Sequence, residues 1–372
     1  MKSLVSFAFV LMLLLTACKS KQGGNEFLPK LNRIDLQEDL SVSIDSLNAV
    51  IGGTIRGVAI DSRGRIYLAD QSQAKIQVLS PDGRYLESIG QKGRGPGEFR
   101  SINGIYIYNN ILYVLEIIPN RLSEFRLENY QLLRTVNFPD IHVDNQPIGR
   151  PYVIYPLSDE RYEMVFRNNT ILDPKVTISI INHDLEPVDK SVRRFPLGRV
   201  FLYRDPGNLA VFNSLSVNTL VTIGPRGDVY QTNADSMHIR VFDSNGKKIR
   251  NISVRYIPPL LTQSDLDSIA SEMSPSRRNL FYKALNQNKV SDHWPALQDL
   301  LVDDQGRCWV ELVTPGKEQH TWWVFDTDGK PKWKFKLSRH LKLYVIHSNN
   351  AYGIWNKKGE YSRIVRYHVE GI

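Results

Sequence analysis

The segment "VAIDSRGRIYLADQSQAKIQVLSPDGRYLESIG", Val58 to Gly90, decides the fold because its pattern returns twice. It runs apolar strand, glycine turn, strand, variable loop, strand ending in Val-Leu, Asp-Gly turn, strand. "VTIGPRGDVYQTNADSMHIRVFDSNGKKIRNIS" from Val221 and "LLVDDQGRCWVELVTPGKEQHTWWVFDTDGKPKWKFKL" from Leu300 keep the same order. Short strands at even spacing belong to a sandwich, a barrel or a propeller, and matched copies of a four-stranded unit select the propeller. The dipeptides Asp82-Gly83, Asn245-Gly246 and Asp328-Gly329 are expected as hairpin turns, since such residues take positive φ cheaply.

Weaker copies fill the gaps, beginning at Gly104, Tyr152 and Leu341, which makes six. The last copy stops after its third strand, while "LPKLNRIDLQEDLSVSI" offers an orphan strand ahead of the first. A ring closes well when an N-terminal strand completes the final blade, because this removes two exposed edges. The expectation is therefore an all-β, six-bladed β-propeller over residues 31–372, closed by its N-terminal strand. One stretch breaks the pattern. Between blades four and five, at about 257–295, Leu266, Ile269 and Met273 and then Leu280, Phe281 and Leu285 have helical spacing. Ser264 or Asp265 is expected to cap the first helix and Pro275 to start the second. Such an insertion is either a packing brace on the ring edge or a lid over the central channel.

"GQKGRGPGEF", Gly90 to Phe99, invites a phosphate-cradle reading, because bare glycine amides can point at an anion. No Gly-Lys-Ser/Thr closes it, however, and strand rather than helix follows, so the helix dipole of a nucleotide site is missing. The loop instead carries the chain from blade one to blade two, a tight crossing that suits glycine and Pro96.

The N-terminus specifies location. "MKSLVSFAFVLMLLLTACKS" has a charged tip at Lys2 and an apolar run from Leu4 to Leu15, too short to span a bilayer comfortably and suited to a signal-peptide core. "LTAC" resembles the bacterial lipobox, which implies cleavage before Cys18 and lipidation of that residue. Residues 1–17 are thus expected as signal peptide and 18–30 as a lipidated tether. The anchor is placed in the outer membrane facing the periplasm, since Lys19 is not the aspartate that retains such proteins at the inner membrane. Without Lys2 the formal charge is 46 basic minus 39 acidic residues, a mild surplus unlike the concentrated basic face that nucleic acid demands. Cys308 is then the one remaining cysteine, so no disulfide forms within the chain; it sits in an alternating strand and reads as a small core residue.

"G-x-x-G-x-G-P-G-x-F" followed by an apolar strand closely resembles the inter-blade segment of NHL-repeat propellers, and "IYLADQSQAKIQVLSPDG" resembles the body of that repeat. Asp70 and Lys75 stand where that family carries an acid and a base that pair within a blade; blade four departs with Asn233 and His238. Lipobox and six such blades together resemble the propeller lipoproteins of Bacteroidetes-type bacteria.

Propeller ligands usually sit where the inner strands begin. Aligned copies put Arg56, Asn103, Tyr152, Thr219, Gln298 and Lys342 at one equivalent position, a ring without carboxylate or histidine. Arg56 and Lys342 on a common axis favour an anion. NHL-like lyases and gluconolactonase-type propellers bind a divalent ion through His, Asp, Glu or Asn there, and a lone Asn103 cannot hold a hard cation that wants about six oxygens. Asp299 joins the ring if the register slips by one. The eight histidines form no H-E-x-x-H pattern, and His340 and His347, flanking one inner strand, are the pair to inspect. The sequence thus points to a monomeric, non-enzymatic, cofactor-free binding lipoprotein for an envelope protein, peptide or glycan, with no catalytic or metal residues assigned. The alternative is a metal-dependent lyase or lactonase in the channel.

Overall fold

The computed structural model describes residues 29–44, 54–143, 145–157, 160–168, 174–188, 192–199 and 201–372; the expected signal peptide, Cys18 and most of the tether lie outside them. The fold is a six-bladed β-propeller. The inner strands of blades one to six are Ile55–Ile60, Ile102–Tyr108, Arg150–Pro156, Val217–Ile223, Leu297–Val302 and Leu341–His347. Each blade continues outward as an antiparallel meander. Because a blade packs between two others, its middle strands are buried on both faces: every residue of Ile66–Asp70 and of Cys308–Leu312 is buried. The core accordingly lies between blades. Tyr67, Ile76 and Val78 of blade one meet Phe99, Ile105, Val114 and Phe125 around blade two, and each such side chain stabilises by roughly 1.5–3 kcal/mol.

One turn recurs at several blade corners. In Asp61 to Arg65, Asp243 to Lys247, Asp303 to Arg307 and Asp326 to Lys330, the first carboxylate accepts the amides two and four residues on, at 2.8–3.0 Å. The fourth residue is glycine with φ between 75° and 85°. The Asp-Gly and Asn-Gly dipeptides do make hairpin turns, but in them only the glycine is left-handed, with a bulge where the strands resume.

Leu36–Ser43 pairs antiparallel with Arg363–Val369 as the outer strand of blade six, so the N-terminal strand closes the ring. Arg366 Nε binds Asp39 at 2.9 Å and Tyr367 Oη donates to Glu38 at 2.8 Å across that seam. Just before it, Asn32–Arg33 runs parallel beside Trp333 and Lys334 of blade five, so the segment ties the last two blades together.

The glycine loop does bind an anion, and the anion is its own. Glu98 Oε2 accepts the amides of Arg94 and Gly95 at 2.9 and 2.8 Å, and these bonds hold the carboxyl below the usual range. A Cβ on Gly93 would stand 2.0 Å from that oxygen. Arg121 from blade two staples the loop from below, donating to the carbonyls of Arg94, Gly95 and Glu98 while paired with buried Glu116. Glu116 and Arg121 are cross-strand partners, as Asp70 and Lys75 are in blade one.

The insertion between blades four and five holds two helices, α1 (Gln263–Ser271) and α2 (Pro275–Gln287). Pro275 opens α2 as expected. The cap of α1 is Thr262, neither Ser264 nor Asp265; Asp265 instead completes a capping box, its carboxylate accepting the Thr262 amide at 2.8 Å. The helices pack on a hairpin, Leu202–Asp205 with Asn208–Val211, that rises between blades three and four, and Phe201, Phe212 and Phe281 meet at 5.3–5.9 Å between ring centres. Every member of that apolar cluster comes from the two excursions, which make one small cap with its own core. Among the described residues no helix is long and apolar enough to cross a membrane.

Candidate functional site

Both excursions leave the ring just before an inner strand, so the cap stands on the face where the inner strands begin. That mouth is shaped by bulges. The inner strand of every blade except the fourth carries an irregularity, and the extra residue is Asn103 in blade two, Tyr152 in blade three and Gln298 in blade five. In blade one it falls at Arg56 and Gly57, and in blade six at Tyr344, two residues past Lys342. A bulge re-aims the side chain it contains. Arg56, Tyr152, Gln298 and Lys342 are exposed here and Asn103 is partly so. Thr219 is not on the wall: blade four has no bulge, and the side chain is buried, its hydroxyl bonded to Pro196 O and to Asn233 Oδ1 at 3.1 Å. Counting residues without the bulges puts blade four one position out of step.

Arg56 makes no ion pair among the described residues. Lys342 Nζ lies 4.8 Å from the centre of the Tyr344 ring, whose hydroxyl donates to Ile55 O at 3.2 Å, so the blade-one and blade-six corners of the mouth adjoin. Asp299, partly buried on blade five, is pushed up to about 6 by burial and by the neighbouring Glu311 carboxylate, while the Leu300 amide and Lys342 draw it down. Glu311 in turn bonds His320 Nδ1. This acidic wall faces blade six, and the sequence reading reached only Asp299 of it. His340 and His347 do not meet; they sit at opposite ends of their strand, His340 3.6 Å from Glu318 and His347 3.0 Å from Asp304. Among the described residues, no three His, Cys, Asp or Glu side chains converge as a metal-ligand group.

Between blades two and three the mouth is aromatic and cationic. Asn103 Nδ2 and Tyr106 Oη donate to Tyr152 O at 3.1 and 3.4 Å, and Arg167 lies 3.5 Å from the centre of the Tyr152 ring. Blade three keeps neither half of the acid–base pair: Phe166 occupies the place of Asp70 and Glu116, and Thr177 that of Lys75 and Arg121. At the root of the cap a cavity of about 290 Å³ is lined by Val217, Asp235, Tyr256, Pro258, His293 and Trp294. A larger groove of about 400 Å³ lies on the opposite face, but it is walled by corner turns, and its Arg65 is already committed to Asp61 at 2.7 Å and Tyr130 at 2.6 Å. Cys308 is buried and its thiol pushed up by desolvation, as fits a core residue.

Residues 51–222 match a family model described as a 6-bladed beta-propeller. No curated protein matches the chain. Among solved structures, a protein of Bacteroides fragilis described as exported superposes with a TM-score of 0.55 at 10% identity, covering 92% of this chain and 98% of its own. A member of the DUF4221 family from Bacteroides vulgatus gives 0.49 at 10%, covering 92% and 99%. Virginiamycin B lyase from Staphylococcus aureus gives 0.46 at 10%, covering 90% and 99%. At these identities the likeness is one of fold.

Proposed function

We propose that this chain is a non-enzymatic binding propeller of the cell envelope, anchored through lipid on Cys18 and taking its ligand at the cap-side mouth of the ring. One observation supports the reading: Arg56, Asn103, Tyr152 and Gln298 fall at bulges where the inner strands of blades one, two, three and five begin, on the face where two separate excursions build a cap. Bulges cost regular pairing, and rigid rings concentrate recognition in the loops and irregularities at one end. The ligand class expected is a peptide, a glycan or an envelope protein. The envelope location rests on residues 1–18 and accords with the exported Bacteroides fragilis neighbour. A lyase or lactonase needing a metal finds no ligand group among the described residues.

The test is a glycan and peptide array probed with wild type and two surface variants. Arg56→Glu with Gln298→Ala alters the mouth, and Arg63→Glu with Arg126→Glu alters the groove on the opposite face. Loss of the wild-type hits in the first variant alone supports the reading. Loss in the second alone refutes it.

A further inference from the structure

We propose that Arg167 and Tyr152, at the blade two to three edge of the mouth, form a subsite for a carboxylate of the ligand; this rests on the mouth being the binding face. The guanidinium of Arg167 is half-buried and stacked on Tyr152, yet it makes no hydrogen bond or ion pair with a described residue, and its Nε is buried without a partner. Several other guanidiniums hold carboxylates, as Arg65 does Asp61, Arg121 Glu116, Arg134 Glu124, Arg193 Glu163 and Arg307 Asp303, while Arg240, Arg250 and Arg278 bond amide, hydroxyl or carbonyl oxygens. Blade three keeps neither member of the acid–base pair of blades one and two, with Phe166 at the acid's position and Thr177 at the base's, so that pair offers Arg167 no carboxylate.

The geometry suits an incoming one. The guanidinium lies over the phenol ring, its terminal nitrogens bond no described residue, and a planar fork of this kind matches a carboxylate bidentately. The platform is itself held, because Tyr152 O accepts both Asn103 and Tyr106. Burial, and after it the Tyr152 phenol, pushes the Tyr106 phenol up so that it stays neutral, while Arg167 draws it down. An unpartnered guanidinium with Nε buried is costly to leave unmet, and a ligand carboxylate that bonds its terminal nitrogens gains from the charge.

The experiment titrates the full-length protein in detergent with sodium glucuronate and with N-acetyl-diglycine, using their methyl esters as controls, by calorimetry and saturation-transfer NMR. These probes represent the two sources of such a group, a sugar acid and a peptide C-terminus. The proposal expects saturable binding of at least one acid, with its ester and the R167Q variant each weaker by about tenfold or more, as for loss of a charge-assisted pair. R167K, which keeps the charge and loses the fork, should also bind more weakly, with an unchanged melting temperature showing that the ring is intact. Equal binding by R167Q and wild type overturns the subsite. Absence of saturable binding by either acid up to about 50 mM also overturns it. Neither result removes the mouth itself, which fails only if ligands found on the arrays are insensitive to Arg56→Glu with Gln298→Ala.

Discussion

Replacing Arg121 by alanine removes one side chain that serves two structures at once. Glu116 is fully buried and Arg121 nearly so, with Nε to Oε2 at 2.6 Å, and the carboxylate also accepts the amides of Arg100 and Ser101 at 2.7 and 3.3 Å. After truncation those two amides remain, but the charge has no countercharge, and an orphaned buried partner costs about 3–5 kcal/mol. The three carbonyls released in the glycine loop lie near solvent and recover most of their bonds from water, so they add little. At about 1–3 °C per kcal/mol for a ring of this size, the melting temperature should fall by about 3–15 °C. Urea unfolding followed by far-ultraviolet circular dichroism measures the loss. A second variant, Glu116→Gln with Arg121→Met, removes both charges and should recover at least about 1 kcal/mol relative to the single change. A single variant within about 1 kcal/mol of wild type, or a double variant less stable than the single, refutes the reasoning.

Deleting Leu31 to Ile44 should strip the closing strand from Arg363–Val369 and leave an exposed edge, so that cooperative unfolding is lost or the protein aggregates; an unchanged melting curve would contradict the closure. Asp299→Asn should show a pH signature. The raised carboxyl, about 6 when folded, keeps its full share of stability below its unfolded value near 3.8 and loses it as pH climbs through 6, so the variant should match wild type at pH 4 and exceed it by about 1–2 kcal/mol at pH 8. Equal stability at both pH values in denaturant titrations would remove the acidic wall from the account. Cys18→Ser should move the protein from the membrane to the soluble periplasmic fraction on cell fractionation, and a variant still membrane-bound would exclude lipid as the anchor.

The ring was legible because its turns are chemical. An aspartate that accepts two amides ahead of a left-handed glycine leaves the same letters at Asp243, Asp303 and Asp326, and the closing strand announces itself as the strand the last blade lacks. Helical spacing likewise revealed α1 and α2. Their partner, the hairpin of Leu202–Asp205 and Asn208–Val211, was hidden because short alternating strands look the same whether they belong to a blade or to a cap. The mouth was half legible. Counting along aligned strands put Arg56, Asn103, Tyr152, Gln298 and Lys342 at one level, and they are exposed or partly so at the inner-strand starts; a bulge adds a residue without altering composition, so Thr219 fell out of step where blade four has none. Arg167 escaped because nothing in its own stretch marks it; its place over the Tyr152 ring is set by the fold.

The central claim is that ligand enters at the cap-side mouth, and photocrosslinking in intact cells tests it most directly. A photoreactive residue at Gln298 reports on the mouth, and one at Arg63 reports on the groove of the opposite face. The account predicts a discrete adduct from Gln298, abolished by Arg56→Glu, and none from Arg63. An adduct from Arg63 with none from Gln298 would contradict it.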